Sequence, residues 1–219
     1  MTAREYARRR KTFEREMLKA LAPALKGSGW KKSGHTLFRQ AGAYFLQIDI
    51  GVHAIEEKTV LTHRIKPMAL DPILWDILGM PENAHEPLSL RARGAFTCWG
   101  IAVDEVVDEG RYESGIAAAA SIAAFARRST SGIDAALANM DFSERLAAHP
   151  WQVERGVYAV ELVVSLINDG DWEAAARLAA ACEHGECAAM CGFSSGGKSF
   201  HRLALEWIEA GKALSRFSR

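Results

Sequence analysis

Apolar residues recur at helical intervals over the first 28 positions. Tyr6, Phe13, Met17, Leu21 and Leu25 share one face, with Arg8, Arg15, Lys19 and Lys26 on another, so the spacing predicts a helix over residues 2–28. Pro23 has no amide to offer the Lys19 carbonyl, which predicts a kink or a new start near Ala22. Gly27 and Gly29 predict the helix end. The period then changes from 3.6 to 2. Tyr44, Leu46, Ile48, Ile50 and Val52 alternate with Phe45, Gln47, Asp49, Gly51 and His53, the pattern of a strand with one buried face. Shorter strands are predicted over 30–32, 35–40 and 59–65, with turns at Ser33-Gly34 and Ala41-Gly42, so antiparallel pairing is favoured. Asp71, as N-cap, and Pro72 open a short helix that Gly79 stops. Two more strands are predicted over 88–93 and 95–103, before an acidic stretch.

From about residue 111 the pattern is helical. An Ala-rich helix is expected over 116–127 and a short one over 131–138. After Pro150, Val153, Val157, Val160, Val164 and Ile167 fall on one face of a strong helix. A tight turn at Asn168-Asp169-Gly170-Asp171 leads to a partner helix over 172–182 with Trp172, Ala176 and Ala179 aligned. This pair reads as an αα-hairpin. It resembles a single tetratricopeptide-like unit, but no second copy follows at a period of about 34 residues. Ser199 caps a last helix with Phe200, Leu203, Trp207, Gly211 and Leu214 on one face. The expected architecture is α+β: an N-terminal helix on an antiparallel sheet of about five strands (residues 1–110), then a helical subdomain with an αα-hairpin packed on it (residues 111–219).

Composition narrows the function classes. The 219 residues are 49% apolar and 25% charged, with no net charge. That excludes a disordered chain and a bulk-basic nucleic-acid binder. The zero is a sum of opposites. Residues 1–40 hold 11 basic and 3 acidic residues, and the remainder holds 16 basic and 24 acidic, giving a head of +8 on a body of −8. No apolar h-region follows the basic N-terminus, and the longest apolar run, 115–126, is too short to span a bilayer. A cytoplasmic location is expected, with Cys98, Cys182, Cys187 and Cys191 as free thiols.

Three motifs carry possible chemistry. Gly192-Phe193-Ser194-Ser195-Gly196-Gly197-Lys198-Ser199 fits the spacing of a phosphate-cradling loop, yet no buried strand precedes it as that chemistry requires. A Gly/Ser loop capped by Ser199 is the preferred reading. Cys182, His184, Cys187 and Cys191, with His201 nearby, have side chains that bind zinc, but the paired C-x-x-C turns of zinc modules are missing, so no metal or other cofactor is expected. Arg8-Arg9-Arg10-Lys11 winds around the whole helix without an aromatic platform. It reads as a solvated face or an internal partner for the acidic body, and a nucleic-acid regulator using residues 4–32 is the less favoured alternative. No nucleophile setting such as G-x-S-x-G occurs, so no catalytic residue is assigned. The alternative of an enzyme would use the polar strand face, with Asp49, His53 and His63.

The segment Leu21-Ala22-Pro23-Ala24-Leu25, then Gly29-Trp30-Lys31-Lys32-Ser33-Gly34-His35-Thr36-Leu37-Phe38-Arg39-Gln40 and the strand Leu46-Gln47-Ile48-Asp49-Ile50-Gly51-Val52, resembles the bacterial domain of unknown function family 4304. The resemblance covers about residues 15–105, departing at Trp30, where that family usually has Phe. It implies no catalytic residues. Small bacterial proteins of this build often serve as immunity partners of secreted toxins, an association rather than a consequence of fold. The expected function is therefore a non-enzymatic binding protein that neutralises a secreted toxin with a basic surface, with neither membrane nor nucleic acid as partner. Acidic side chains steer association with such surfaces, and the candidate contacts are Glu56, Glu57, Asp104, Glu105, Asp108 and Glu109.

Overall fold

A computed structural model describes residues 2–53, 58–92, 96–108, 112, 114–129, 141–148, 158–187 and 193–217, with side chains described except at 53, 58, 102–108 and 212–217. The chain is α+β. In order it forms α1 (Ala3–Ala24), β1 (Lys31–Ser33), β2 (Thr36–Ala41), β3 (Tyr44–His53), β4 (Lys58–Pro67), α2 (Leu70–Ile77), two 3-10 turns (Pro81–His85 and Leu88–Ala92) and β5 (Ile101–Asp108). There follow α3 (Gly115–Ser129), α4 (Phe142–Ala147), α5 (Ala159–Asn168), α6 (Trp172–Glu183), the two-residue strands β6 (Ser194–Ser195) and β7 (Lys198–Ser199), and α7 (Phe200–Phe217). No helix among the described residues is long and apolar enough to cross a membrane.

These elements fold as two compact units, each made of two separated segments. One comprises Met1–Ile65 and Gly100–Asn139, the other Lys66–Trp99 and Met140–Arg219. The chain thus changes unit within β4 rather than breaking once near residue 110.

The first unit carries the five-stranded sheet, ordered β1-β2-β3-β4-β5, with antiparallel pairing of β1 with β2, β2 with β3 and β4 with β5. Leu46, Ile48 and Ile50 of β3 and Leu61, His63 and Ile65 of β4 are buried, as the alternation predicts for one covered face. Thr2 and Glu5 close a capping box on α1, which satisfies two amides that the first turn leaves unpaired. Met17 and Leu21 bury its apolar stripe. Pro23 does not break this helix. It lies in the last turn, and the chain stays helical to Ala24, because a proline this near the C-terminus disturbs only a terminal hydrogen bond.

Helix α1 packs along α3, and a glycine sets their separation. A Cβ at Gly115 would stand 2.5 Å from the Phe13 carbonyl oxygen and 2.6 Å from the Met17 amide nitrogen, so only a residue without a side chain fits this crossing. Trp30 links layers within the unit. Its indole donates to the Ala126 carbonyl of α3 at 2.8 Å, and its ring meets His63 of β4 edge-on at 6.2 Å.

The second unit is helical. Helices α5 and α6 form the expected hairpin, α6 also packs on α7, and α2 and α4 pack on α5. Ala179 and Phe200 are buried as expected, but the rest of each stripe is displaced: Ala175 and Cys182 are buried on α6, and Ala204 and Ile208 on α7. Trp172 and Trp207, expected inside, instead meet each other at 5.9 Å near the periphery. A helix wedged between neighbours buries whatever fits the gap, and bulk alone does not select its inner face.

Several expected elements differ. Of the strand expected over 88–93, the described part, Leu88–Ala92, is instead a 3-10 turn opened by the Leu90 amide bonding to the Pro87 carbonyl. The strand expected over 95–103 begins only at Ile101 and continues through the acidic stretch to Asp108, where Val103, Val106 and Val107 favour extended backbone. Asp71 is not an N-cap; Ala69 holds that position without a side-chain bond. The helix expected over 131–138 and the start of the one expected after Pro150 lie outside the described residues.

Replacing Gly115 with valine forces the α1–α3 crossing apart. We expect a loss of about 3 kcal/mol in stability, read as a lowered Tm. An unchanged Tm would show that the helices do not meet there.

Candidate functional site

Sequence reasoning placed candidate contacts on carboxylates. Asp104, Glu105 and Asp108 do share one strand, β5, opposite His63, Thr62 and Thr59 of β4 in register. That strand ends the sheet order. Their side chains, and residues Glu56, Glu57 and Glu109 altogether, lie outside what the structure describes.

The polar strand face does not assemble an enzyme site from Asp49 and His63. Asp49 Oδ1 accepts from Thr36 Oγ1 at 3.2 Å and Gln47 Nε2 at 2.7 Å, and Oδ2 accepts from Arg64 Nε at 3.2 Å. His63 is 2% exposed and belongs to the buried set of β4, against Trp30. The two residues therefore face opposite sides of the sheet. The side chain of His53 is not among those described.

The Gly/Ser motif is a β-hairpin. β6 and β7 pair through Ser194 with Ser199 and Ser195 with Lys198. Gly196 and Gly197 form the tip with φ of +56° and +77°, which suits a two-residue hairpin turn and not a phosphate cradle. Lys198, the residue a phosphate loop would aim at its ligand, binds Glu206 at 2.7 Å. Ser199 does cap α7, accepting from the Arg202 amide at 3.1 Å.

The cysteines are not all thiols. Cys182 and Cys187 form a disulfide at the end of α6, which removes two of the four candidate zinc ligands. Cys191 lies outside the described residues, and among the described residues no group of three or more His, Cys, Asp or Glu could hold a metal. Of the basic head, Arg10 pairs with Glu14 at 2.8 Å. Arg8 and Arg9 line a groove of about 390 Å³ together with Glu5 and Glu16, so the groove is balanced in charge rather than a track for phosphates.

The best-defined polar assembly lies elsewhere, in the second unit. Asp71 is completely buried. Its Oδ1 accepts from Lys66 Nζ at 2.9 Å and from the Cys98 amide at 2.8 Å, and its Oδ2 accepts from Arg91 Nη1 at 2.8 Å. A buried carboxylate is tolerable only with such partners. Lys66, 2% exposed, also donates to the Cys98 carbonyl at 2.7 Å. Arg91 reaches the Met68 carbonyl at 2.9 Å and lies 5.1 Å from the centre of the Trp75 ring, a cation–π contact. Trp75 donates its indole N–H to the Phe96 carbonyl. From α5, Glu161 Oε1 accepts from the Trp99 amide at 2.8 Å.

Four of these bonds reach the backbone of the segment 96–99, at Phe96, Cys98 and Trp99. Three of the four residues are thus held by buried side chains from β4, α2 and α5, while two of them turn aromatic rings outward. Phe96 is 39% exposed and Trp99 50%. Phe96 is the one non-glycine residue with positive φ among those described, at 54°; such strain persists only where the surroundings over-determine the backbone. Phe193 joins the display, 5.9 Å from Phe96.

Glu161 differs from Asp71. It is 1% exposed, and its Oε2 has no hydrogen-bond partner. Burial pushes its carboxyl up to about 7, against the lowering effects of the Trp99 amide and Lys66. Catalysis would need that carboxyl to meet a substrate, and its burial denies access.

Sequence reasoning missed this assembly because its parts lie far apart and were given other roles. One signal was present: Glu161 interrupts the apolar run Ala159-Val160-Glu161-Leu162-Val163-Val164, and an acid inside a helix buried all round must be held for a reason. No known protein family, curated protein or solved structure matches the chain.

Two outcomes test the assembly. Lys66→Met leaves Asp71 short of a cation in a buried site and is expected to cost about 3–5 kcal/mol, measured by denaturant unfolding. Glu161 makes stability depend on pH. The folded carboxyl titrates near 7 and its ordinary value is 4.5, so its contribution is full below 4.5 and is lost as pH rises through 7, an effect of about 3 kcal/mol. Glu161→Gln should flatten that fall and raise stability at pH 8. Equal slopes in the two proteins would refute the assignment.

Proposed function

We propose that this chain is a non-enzymatic binding protein that makes contact through residues 96–99 and neutralises a secreted bacterial toxin with a basic surface. The observation that carries the binding reading is the fixed backbone under Phe96 and Trp99. Exposed aromatics on a pre-ordered backbone are what interface hot spots are made of, since their large apolar area is buried on binding without an ordering cost. The buried charges are committed to that backbone, which argues against a catalytic role.

The toxin reading adds two supports. One is the resemblance of residues 15–105 to family 4304. The other is charge: the unit carrying residues 96–99 holds 11 basic and 15 acidic residues, a balance of −4, which attracts a basic partner at long range. The carboxylates of Asp104, Glu105 and Asp108 on the terminal strand act in the same sense. A cytoplasmic location fits a toxin acting there, but the Cys182–Cys187 disulfide favours an oxidising compartment. The thiol state of the protein taken from its native host separates these.

The test is calorimetric binding of the full chain to an inactivated toxin encoded beside it. Trp99→Ala should weaken binding about 30-fold or more without lowering Tm. Asp104→Lys with Glu105→Lys should slow association at low salt and leave dissociation nearly unchanged. Retained affinity in the Trp99 variant rejects the contact surface. Failure of the wild-type chain to bind any neighbouring toxin rejects the immunity role.

A further inference from the structure

Glu161 stands at the only point where residues 96–99 are held by a group able to change its charge near neutral pH among those described. Lys66 and Arg91 are both bonded to Asp71, so neither cation is committed to Glu161. Among the described residues, its one hydrogen bond from outside its own helix is that from the Trp99 amide, and buried Oε2 has none.

We infer that Glu161 is a proton-operated latch on residues 96–99, holding them in the fixed form when neutral and releasing them when ionised. The inference rests on the reading of residues 96–99 as the contact surface and supplies its regulation. The neutral carboxyl accepts the Trp99 N–H while leaving no charge in the interior. On ionisation the proton passes to solvent, and a carboxylate remains with one amide donor where Asp71 has two cations and an amide. A carboxylate so placed gains most by admitting water to Oε2. The layer nearest to yield is the one bonded to it, the segment ending at Trp99. The charged groups around Glu161 do not remove this drive. Lys66, at the end of β4, favours the carboxylate, and Asp71, from α2, opposes it. Arg91, from the 3-10 turn, is spent on Asp71 and the Met68 carbonyl. On α7 the buried titratable group is His201, held below its ordinary value by burial, which Glu183 of α6 partly opposes. The charged residues of α4, Glu144 and Arg145, are exposed.

The latch is read on the free, full-length chain, so its failure and a failure of the binding reading are distinguishable. In amide hydrogen exchange followed by NMR from pH 5.5 to 8.5, Trp99 should lose protection above pH 7. Its exchange should exceed the normal base-catalysed rise by about tenfold or more, while amides of β3 follow the normal rise. Glu161→Gln should abolish the excess. Should that variant not fold, carbon-13 labelling of glutamate carboxyls in the wild-type chain gives the same answer. A Glu161 signal titrating near 7 in step with the Trp99 amide supports the latch. Trp99 exchange that simply follows the normal rise, the same excess in Glu161→Gln, or a Glu161 titration near 4.5 overturns it. Loss of toxin binding in Trp99→Ala bears only on the contact surface and leaves these outcomes unchanged.

Discussion

Asp71 has to be paired, and most of the second unit's local geometry follows from how that is done. Moving a carboxylate out of water costs several kcal/mol even after relaxation. Here the cost is offset by Lys66 five residues upstream and Arg91 twenty residues downstream. To reach Asp71, β4 must run on to Pro67, α2 must turn its first residues inward, and the turn at Leu88–Ala92 must aim Arg91 back. The Cys98 amide and carbonyl complete the shell, so the segment leading to β5 is drawn into the same cluster. A buried ion cluster of this kind adds little net stability compared with a well-packed apolar one. What it adds is a single arrangement, because each donor has one place to go.

The same cluster explains which parts of the fold were legible in the sequence. Strands β2, β3 and β4 and helices α1, α3 and α6 announce themselves by local periodicity, and local patterning is enough wherever one face is covered and the other wet. The described residues between 88 and 99 were misread because they are bonded to Lys66, Asp71, Trp75 and Glu161, between 20 and 62 residues away. Leu88-Ser89-Leu90-Arg91 alternates like a strand, yet Arg91 is needed inside and a strand would not deliver it. The Gly/Ser motif shows the converse, in which matching spacing was outweighed by context: Ser199 caps α7 as expected, and Lys198 binds Glu206.

Charge tells a related story. The basic head and acidic body of the sequence do not survive as separate bodies, because β5 returns its carboxylates to the sheet beside the strands that follow the basic helix. The first unit then holds 16 basic and 12 acidic residues, half the imbalance that a cut at residue 40 suggests. The remaining −4 belongs to the unit that displays Phe96 and Trp99. In the proposed binding role the exposed aromatics thus sit on the unit with net negative charge, and electrostatic steering is most useful when it delivers a partner to the residues that would hold it.

Asp71 and Glu161 are two buried acids serving one short segment, and they are treated oppositely. Asp71 holds Cys98 while bonded to two cations, Lys66 and Arg91. Glu161 grips the next residue with no cation bonded to it, and burial pushes its carboxyl up to about 7. If rigidity alone were selected, a glutamine or an apolar residue at 161 would serve as well and avoid the desolvation cost. An ionisable group kept at that cost, at the end of a segment whose other end is held by the Trp75 indole, divides the segment into a constant half and a responsive half. Trp99, the more exposed of the two aromatics, lies in the responsive half.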